Sequence, residues 1–162
     1  MKARAVIRSG DPAPGFTLPG YDPATEERHD VSLQRFRGQP VVLVFYPGDD
    51  TPVCTRQLTT YTSDIGRFQE VGAQVLAVSP QSIESHVRFS CGHGGFAFPL
   101  LADEDKAVGH LYGILGPLGF YRRSVFVVDA DGVVRYAHRS AVGLTFRRVD
   151  DIVAAVKATV AN

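Results

Sequence analysis

The chain has 162 residues, of which 44% are hydrophobic and 21% charged, and its 17 basic residues balance 17 acidic ones. This length is typical of one domain with its own core, so we expect a single domain over residues 1–162. The balanced charge and the absence of a Lys/Arg run argue against a nucleic-acid partner. No apolar run approaches the roughly 18 residues of a membrane span, and the N-terminus lacks the apolar core of a secretory signal, so we expect a cytoplasmic protein without a membrane partner.

The first half of the chain predicts two short strands, a buried strand and a long helix. The Pro- and Gly-rich N-terminal segment is typical of turns, with strands near 16–18 and 28–31. VVLVFY, residues 41–46, is an uninterrupted run of β-branched and aromatic residues between two prolines, which predicts a buried central strand. Apolar residues at helical spacing predict a helix over 52–70, with Gly72 as its C-terminal cap.

The second half continues the alternation of strand and helix. AQVLAVS, residues 73–79, predicts another buried strand, and helices are expected over 82–91 and 103–113. RSVFVVDADGVVRYAHR pairs two apolar runs across Asp131-Gly132, which is a strong hairpin signal. The closing segment RRVDDIVAAVKATVAN carries its large apolar residues on one helical face. The pattern predicts an α/β fold with a mixed sheet.

The position of Cys54 indicates a reactive thiol. A reduced cytoplasm favours catalytic or redox roles over a permanent disulfide for the two cysteines of this chain. Thr51 is a good N-cap whose hydroxyl can accept from a backbone N–H, and Pro52 suits the first helical position. The Cys54 sulfur would then lie in the first turn, where unpaired N–H groups and the helix dipole favour a thiolate. The alternative, a cysteine that serves as a small core hydrophobe, has less support from this capping pattern.

These residues resemble the peroxidatic motif of the peroxiredoxins. Pro47, Thr51 and Cys54 form Pro-x-x-x-Thr-x-x-Cys directly after the apolar strand. RSVFVVDADG resembles the strand of that family that carries an active-site arginine, and FSCGHGGFAFPLLAD is similar to the peroxiredoxin Q (bacterioferritin comigratory protein) branch. The resemblance spans roughly residues 12–132. It implies a thioredoxin-like fold, with a central mixed β-sheet flanked by helices and a short N-terminal hairpin extension.

The resemblance also implies roles for the residues around Cys54. Cys54 would be the peroxidatic thiolate, which attacks a hydroperoxide and becomes a sulfenic acid. Thr51 would orient the peroxide, and Pro47 would wall the pocket. Arg123 would stabilise the thiolate and polarise the leaving oxygen. No metal, haem, flavin or other cofactor is expected.

Several neighbours of the motif are ambiguous from sequence. Adjacent side chains of a strand point to opposite faces, so only one of Arg122 and Arg123 can reach Cys54, and the spacing to Phe126 favours Arg123. Tyr46 either lines the pocket or merely ends the strand, and the role of Gln57 is open. The two aspartates that precede Thr51 are expected to be loop residues without a catalytic role.

A metal site near the second cysteine is a weaker interpretation. Cys91 is followed closely by His93, and His86 and His110 are near in sequence, but no ligand-pair spacing occurs. Structural or surface histidines are therefore the favoured interpretation.

Cys91 is the candidate resolving cysteine. Some peroxiredoxin Q relatives carry a resolving cysteine five residues after the peroxidatic one, where this chain has Thr59. Other members place it in a later helix, as at Cys91, so the resemblance implies an intramolecular Cys54–Cys91 disulfide. A disulfide needs Cα atoms about 4.4–6.8 Å apart, so we expect local unwinding near both cysteines.

The expected activity is that of a monomeric atypical two-cysteine peroxidase acting on hydrogen peroxide and organic hydroperoxides. Thioredoxin is the implied reductant, with a glutaredoxin-type partner as an alternative. The competing interpretations are a one-cysteine peroxidase and a non-enzymatic peroxide sensor, in both of which Cys91 would be a bystander.

Overall fold

The computed structural model describes residues 7–140 and 145–160. The strands of this part are β1 (Thr17–Asp22), β2 (Glu27–Ser32), β3 (Val41–Phe45), β4 (Gln74–Ser79), β5 (Leu100–Ala102), β6 (Ser124–Val128) and β7 (Val134–Arg139). The helices of this part are α1 (Pro52–Ser63), α2 (Ile65–Glu70), α3 (Ile83–Cys91), α4 (Ala107–Leu111) and α5 (Val149–Val160), with one 3-10 turn at Leu33–Phe36.

The strands of the described residues form one mixed sheet in the order β2-β1-β5-β4-β3-β6-β7. Central β3 pairs in parallel with β4 and antiparallel with β6, and β4 pairs in parallel with β5. The β1–β2 hairpin joins the sheet through an antiparallel contact with β5. The predicted mixed α/β fold with an N-terminal hairpin extension is therefore confirmed.

Central β3 is buried on both faces, as its uninterrupted apolar sequence predicts. Its side chains alternate between two cores. Val42 and Val44 pack in the core that contains Cys54 and side chains of α1, α2, α3 and α5. Leu43 and Phe45 pack in the core on the opposite face, with side chains of β1, α4 and β6. Since Cys54 belongs to the first core, the sheet and three neighbouring helices together fix its position.

The helix predicted over 52–70 is wrong in its continuity, because it breaks at Asp64 between α1 and α2. Asp64 has φ −101° and ψ 17°, outside regular helical geometry. The break follows a run rich in Thr and Ser, and the Thr59 hydroxyl donates to the Thr55 carbonyl at 2.8 Å. Such hydroxyls compete for backbone groups and weaken a helix. Gly72 follows α2 with φ +71°, the left-handed conformation expected of a helix-terminating glycine.

The helix predicted over 103–113 is also shorter in the structure, where only Ala107–Leu111 is helical. Lys106 lies just before it with φ +62°, so the chain cannot be helical through this residue. Buried Asp103 instead accepts the backbone N–H groups of Val108 and Gly109, at 3.1 and 2.9 Å. The acidic residue thus caps the helix from a preceding turn instead of belonging to it. Three-residue β5 was not predicted, because so short a run has no readable periodicity.

Candidate active site

Cys54 is the third residue of α1 and is completely buried. Pro52 begins the helix and Thr51 is the N-cap residue in extended geometry, as the capping pattern predicted. The first helical hydrogen bond runs from the Thr55 N–H to the Thr51 carbonyl at 2.9 Å. The sulfur therefore lies within the first turn of the helix, near its positive end.

The prediction that the Thr51 hydroxyl caps the helix is wrong. It accepts no backbone N–H of α1 and instead donates to the Gly48 carbonyl at 3.0 Å, closing the turn that precedes the helix. The hydroxyl thus points back along the loop toward the Gly48 carbonyl. As a result, no side-chain cap covers the N–H groups of the first turn, and they can donate to a bound ligand.

Of the two adjacent arginines, Arg123 is the one beside Cys54. Its guanidinium Nη2 lies 3.2 Å from Cys54 Sγ, and Nη1 donates to Gln57 Oε1 at 2.5 Å. Arg123 is only 4% exposed, so this cation is held out of bulk water next to the sulfur. Arg122 points elsewhere, and its Nε donates to the Ser140 carbonyl at 3.2 Å. A buried guanidinium in this position favours negative charge on the sulfur.

Gln57 and Tyr61 hold the arginine in place, although no role was predicted for either residue. Gln57 Nε2 donates to the Tyr61 hydroxyl at 3.3 Å, and that hydroxyl donates to the Arg147 carbonyl at 2.5 Å. Burial raises the pKa of Tyr61 well above its ordinary value, so the hydroxyl keeps its proton. Cys54, Gln57 and Tyr61 follow at spacings of three and four, which places them on one face of α1. That spacing is the sequence signal from which both residues could have been found.

A cleft of about 500 Å³ is lined in part by Arg123. Pro47 lines it, as do Tyr121 and the loop that precedes β6. Leu118 and Phe120 of that loop also line the cleft and are 84% and 67% exposed. A small molecule in this cleft would therefore meet apolar side chains and Arg123, whereas Cys54 is not among the residues that line it.

A buried polar network ties the loop before Cys54 to α3. The Asp49 carboxylate accepts from the Tyr46 hydroxyl at 2.7 Å and the Ser85 hydroxyl at 2.8 Å, and contacts His86 Nδ1 at 2.7 Å. The Asp49 N–H donates to Gln81 Oε1 at 2.7 Å. Burial, followed by the negative charge of Asp49, raises the pKa of Tyr46 well above its ordinary value. Tyr46 thus directly follows β3 as a buried hydrogen-bond donor to the loop, and Asp49 connects this loop to α3.

Cys91 is the last residue of α3 and is exposed, whereas Cys54 is buried. Both thiols are free. Cys91 contacts the hydroxyl of Tyr21 on β1, and the pKa of Tyr21 is raised by burial first and then by Cys91. Joining the two sulfurs would require Cys91 to leave this contact with β1.

The alternative metal site gains no support from the geometry. Among residues 7–140 and 145–160, no group of three His, Cys, Asp or Glu side chains is arranged to hold a metal ion. His86 is buried against Asp49, and His110 is exposed on α4. In the same residues, no helix combines the length and the apolar character needed to cross a membrane.

The chain is similar to known proteins over most of its length. Residues 9–137 match the AhpC/TSA family. The chain is 35% identical over 138 residues to the chloroplastic peroxiredoxin Q of Sedum lineare, covering 84% of this chain and 71% of the plant protein. It is 38% identical over 141 residues to a Mycobacterium tuberculosis protein provisionally named a peroxiredoxin, covering 83% of this chain and 86% of that protein.

The fold agrees with a solved peroxiredoxin as well. The reduced 2-Cys peroxiredoxin of Plasmodium vivax superposes with a TM-score of 0.86 at 25% identity, covering 96% of this chain and 82% of that one. Fold, family match and relatives point to the same assignment: the chain belongs to the AhpC/TSA family of peroxiredoxins, the enzymes that reduce peroxides by means of a cysteine thiol.

Proposed function

We propose that the protein is an atypical two-cysteine peroxidase in which Cys54 is oxidised by hydrogen peroxide or an organic hydroperoxide and Cys91 resolves the product. The observation that carries this proposal is the 3.2 Å contact between Arg123 Nη2 and the buried Cys54 sulfur. A structural cysteine in an apolar core has no need of a buried cation, whereas a reacting thiolate does.

In the first step the Cys54 thiolate attacks the nearer oxygen of the hydroperoxide. An S–O bond forms, the O–O bond breaks, and the leaving oxygen takes a proton and departs as water or an alcohol. The Thr51 hydroxyl donates its own hydrogen to Gly48, so its lone pairs can accept the hydrogen of the peroxide. Arg123 and the uncapped N–H groups of α1 stabilise the charge that develops on the leaving oxygen. Pro47, which lines the cleft, limits the access of water.

In the second step the Cys91 thiolate attacks the Cys54 sulfenic sulfur. The S–S bond forms, the S–O bond breaks, and the oxygen leaves as water. A dithiol reductant then reopens the disulfide by thiol–disulfide exchange and is itself oxidised to a disulfide. Thioredoxin is the proposed reductant. Because the resolving thiol is on the same chain, we propose a monomer, and the two free thiols suit a reducing cytoplasm.

A second candidate is a one-cysteine peroxidase or peroxide sensor, in which Cys91 takes no part. The exposed position of Cys91 and its contact with Tyr21 favour this alternative. In that case an external thiol would reduce the sulfenic acid directly.

Peroxide consumption in the presence of thioredoxin, thioredoxin reductase and NADPH tests the proposal. The wild type is expected to turn over repeatedly, Cys54→Ser to be inactive, and Cys91→Ser to consume one equivalent and then stop. Continued turnover of Cys91→Ser with thioredoxin would reject Cys91 as the resolving thiol. Activity of Cys54→Ser would reject the entire mechanism.

A further inference from the structure

Two consecutive aspartates contact two histidines that flank Cys91. Asp49 contacts His86 at 2.7 Å, and Asp50 contacts His93 at 3.2 Å. The aspartates lie in the loop before Cys54, and the histidines lie on either side of Cys91. We call these four residues the clasp, with Asp49–His86 as its inner pair and Asp50–His93 as its outer pair.

The inner pair is deeply buried and fully bonded. The side chains of His86 and Asp49 are 0% and 4% exposed. His86 Nε2 lies 2.9 Å from the Leu101 carbonyl, which can only accept, so Nε2 carries a hydrogen. His86 Nδ1 lies 2.7 Å from Asp49 Oδ2, so both ring nitrogens have a polar partner. Breaking such a buried pair would leave polar groups without partners, so we expect it to persist during local motions.

The outer pair is the weaker one. The side chains of Asp50 and His93 are 79% and 29% exposed, so water can replace either partner. The His93 ring also packs against Phe89 and Phe96, with ring centroids 5.4 and 6.2 Å away. Asp50 has φ +59°, a conformation that non-glycine residues rarely adopt. Loss of the outer contact is therefore the easiest opening of the clasp.

The inner pair is placed so that the two cysteines can still meet. Asp49 lies five residues before Cys54, and His86 lies five residues before Cys91. An unwound stretch of five residues reaches roughly 17 Å, so each sulfur can move far while the inner pair stays formed. The outer pair has the opposite effect, because it fastens the residues just after Cys91 to the loop and supports the last turn of α3.

We propose that the inner pair is a fixed anchor and the outer pair a release point, so that Asp50 and His93 set how quickly Cys91 reaches the Cys54 sulfenic acid. The inference rests on the proposed two-cysteine chemistry. While the outer pair holds, the sulfenic acid persists and a second hydroperoxide can oxidise it to sulfinic acid. A second S–O bond forms, the O–O bond of the hydroperoxide breaks, and the leaving oxygen takes a proton and departs as water or an alcohol. When the pair opens, Cys91 attacks the sulfenic sulfur, and disulfide formation is then faster than oxidation to sulfinic acid. Asp50 and His93 are thus positioning residues that act on the second step and not on the first.

Rapid mixing with one equivalent of hydrogen peroxide, acid quench and intact mass measurement follow both steps. The informative variants are His93→Phe, which keeps the ring contacts but removes the N–H, and Asp50→Asn, which removes the charge and tolerates a positive φ. His110→Phe, at an exposed position of α4, is the matched control. We expect each informative variant to form the disulfide roughly two- to fivefold faster, the usual size of an exposed pair, with no change in sulfenic acid formation.

The double variant separates a specific contact from general loosening of the fold. If the two residues act through one contact, Asp50→Asn combined with His93→Phe is no faster than the faster single variant. With excess peroxide, the sulfinic acid fraction should fall in the variants relative to the wild type and the control. Three results would each overturn the proposal. They are unchanged or slower disulfide formation in the variants, additive acceleration in the double variant, and equal acceleration by His110→Phe.

Hydrogen exchange makes the failure of the clasp distinguishable from failure of the proposed function. The N–H groups of Gly92 and Gly95 donate to the Arg88 and Ser90 carbonyls, at 2.9 and 2.8 Å, at the end of α3. In the reduced protein these amides should exchange faster in both informative variants, whatever Cys91 does chemically. If the wild type forms no disulfide but these amides still exchange faster in both variants, Cys91 is rejected as the resolving thiol and the release point is kept. Unchanged exchange would reject the release point itself.

Discussion

Arg123 donates from one guanidinium to both the Cys54 sulfur and the Gln57 side chain, at 3.2 and 2.5 Å. The sulfur and the amide oxygen lie on the same face of α1, and the arginine approaches from the residue directly before β6. The planar fork of guanidinium donors suits two acceptors at once, which an ammonium group cannot match. The position of the cation next to the sulfur is therefore determined by a side chain that does not itself react.

Arg123→Lys should lower the second-order rate constant for oxidation of Cys54 by roughly 100-fold, because the charge remains but its placement is lost. Arg122→Lys is the matched control, since Arg122 bonds to the Ser140 carbonyl and should stay close to wild type. Quenched-flow mass measurement is suitable, because the chain has no tryptophan for a fluorescence signal. Equal losses in the two variants would contradict the assignment of Arg123.

Gln57→Leu should slow Cys54 oxidation and also destabilise the fold. The substitution removes one hydrogen bond from the buried Arg123 guanidinium and one from the Tyr61 hydroxyl, at a cost of about 1–3 kcal/mol in the free energy of unfolding. Urea denaturation and the quenched-flow oxidation rate check both effects. Gln69→Leu, at an exposed position in α2, is the control. A destabilised variant that is oxidised at the wild-type rate would show that Gln57 does not position the arginine.

Replacing Phe120 with Ser should weaken the reaction with hydroperoxides that carry an apolar tail and leave that with hydrogen peroxide unchanged. Phe120 is 67% exposed at the rim of the cleft, where an alkyl chain can cover it but hydrogen peroxide is too small to reach it. The loss of this apolar contact corresponds to roughly tenfold in rate constant. Val160→Ser, at another exposed apolar position, serves as the control. A parallel loss for both substrates would mean that the rim supports the site structurally.

Asp129→Asn should make the free energy of unfolding fall less steeply as the pH is lowered from 7 to 2. Burial alone would raise the pKa of Asp129, but hydrogen bonds from the Val133 N–H, Arg135 and the Asp131 N–H outweigh it and hold the pKa below its ordinary value. Since the folded protein favours the carboxylate, its stabilisation is complete above the unfolded pKa of 3.8 and is lost as pH falls through the lower folded value.

Urea denaturation from pH 7 to pH 2 measures this effect. At pH 7 the variant should be less stable than wild type by about 1 kcal/mol, and the difference should vanish at the acid end. Glu70→Gln, an exposed carboxylate in α2, should run parallel to wild type. A difference between wild type and Asp129→Asn that is constant over the whole range would contradict the linkage.

Local patterns were sufficient for most elements of the fold. The apolar run at 41–46 and the Asp131-Gly132 hairpin predicted β3 and the β6–β7 pair, because a buried strand and a tight turn each depend on neighbouring residues. One predicted helix, over 52–70, lacked the break that the structure has, and another, over 103–113, was predicted too long. Their true ends depend on hydroxyl–backbone competition near Asp64 and on the left-handed Lys106, and hydrophobic periodicity reports neither feature.

The candidate site was predictable only in part for a related reason. Capping residues pointed to Cys54, and the resemblance to the arginine-bearing strand of the peroxiredoxins, together with strand alternation, pointed to Arg123. The contacts of Gln57 with Arg123 and of Asp49 with His86 join residues 66 and 37 positions apart, and only the folded sheet brings these together. Thr51 shows that even a correct N-cap position leaves the direction of the hydroxyl open, since a competing carbonyl lies in the preceding loop.

One measurement decides whether Cys54 reacts with peroxide and Cys91 resolves the product, namely the intact mass of the reduced protein after one equivalent of hydrogen peroxide. We expect a monomer that has lost two hydrogens, with a single peptide linkage between Cys54 and Cys91 after digestion. A monomer that has gained one oxygen, and that forms no disulfide on standing, would reject the two-cysteine mechanism and make Cys91 a bystander.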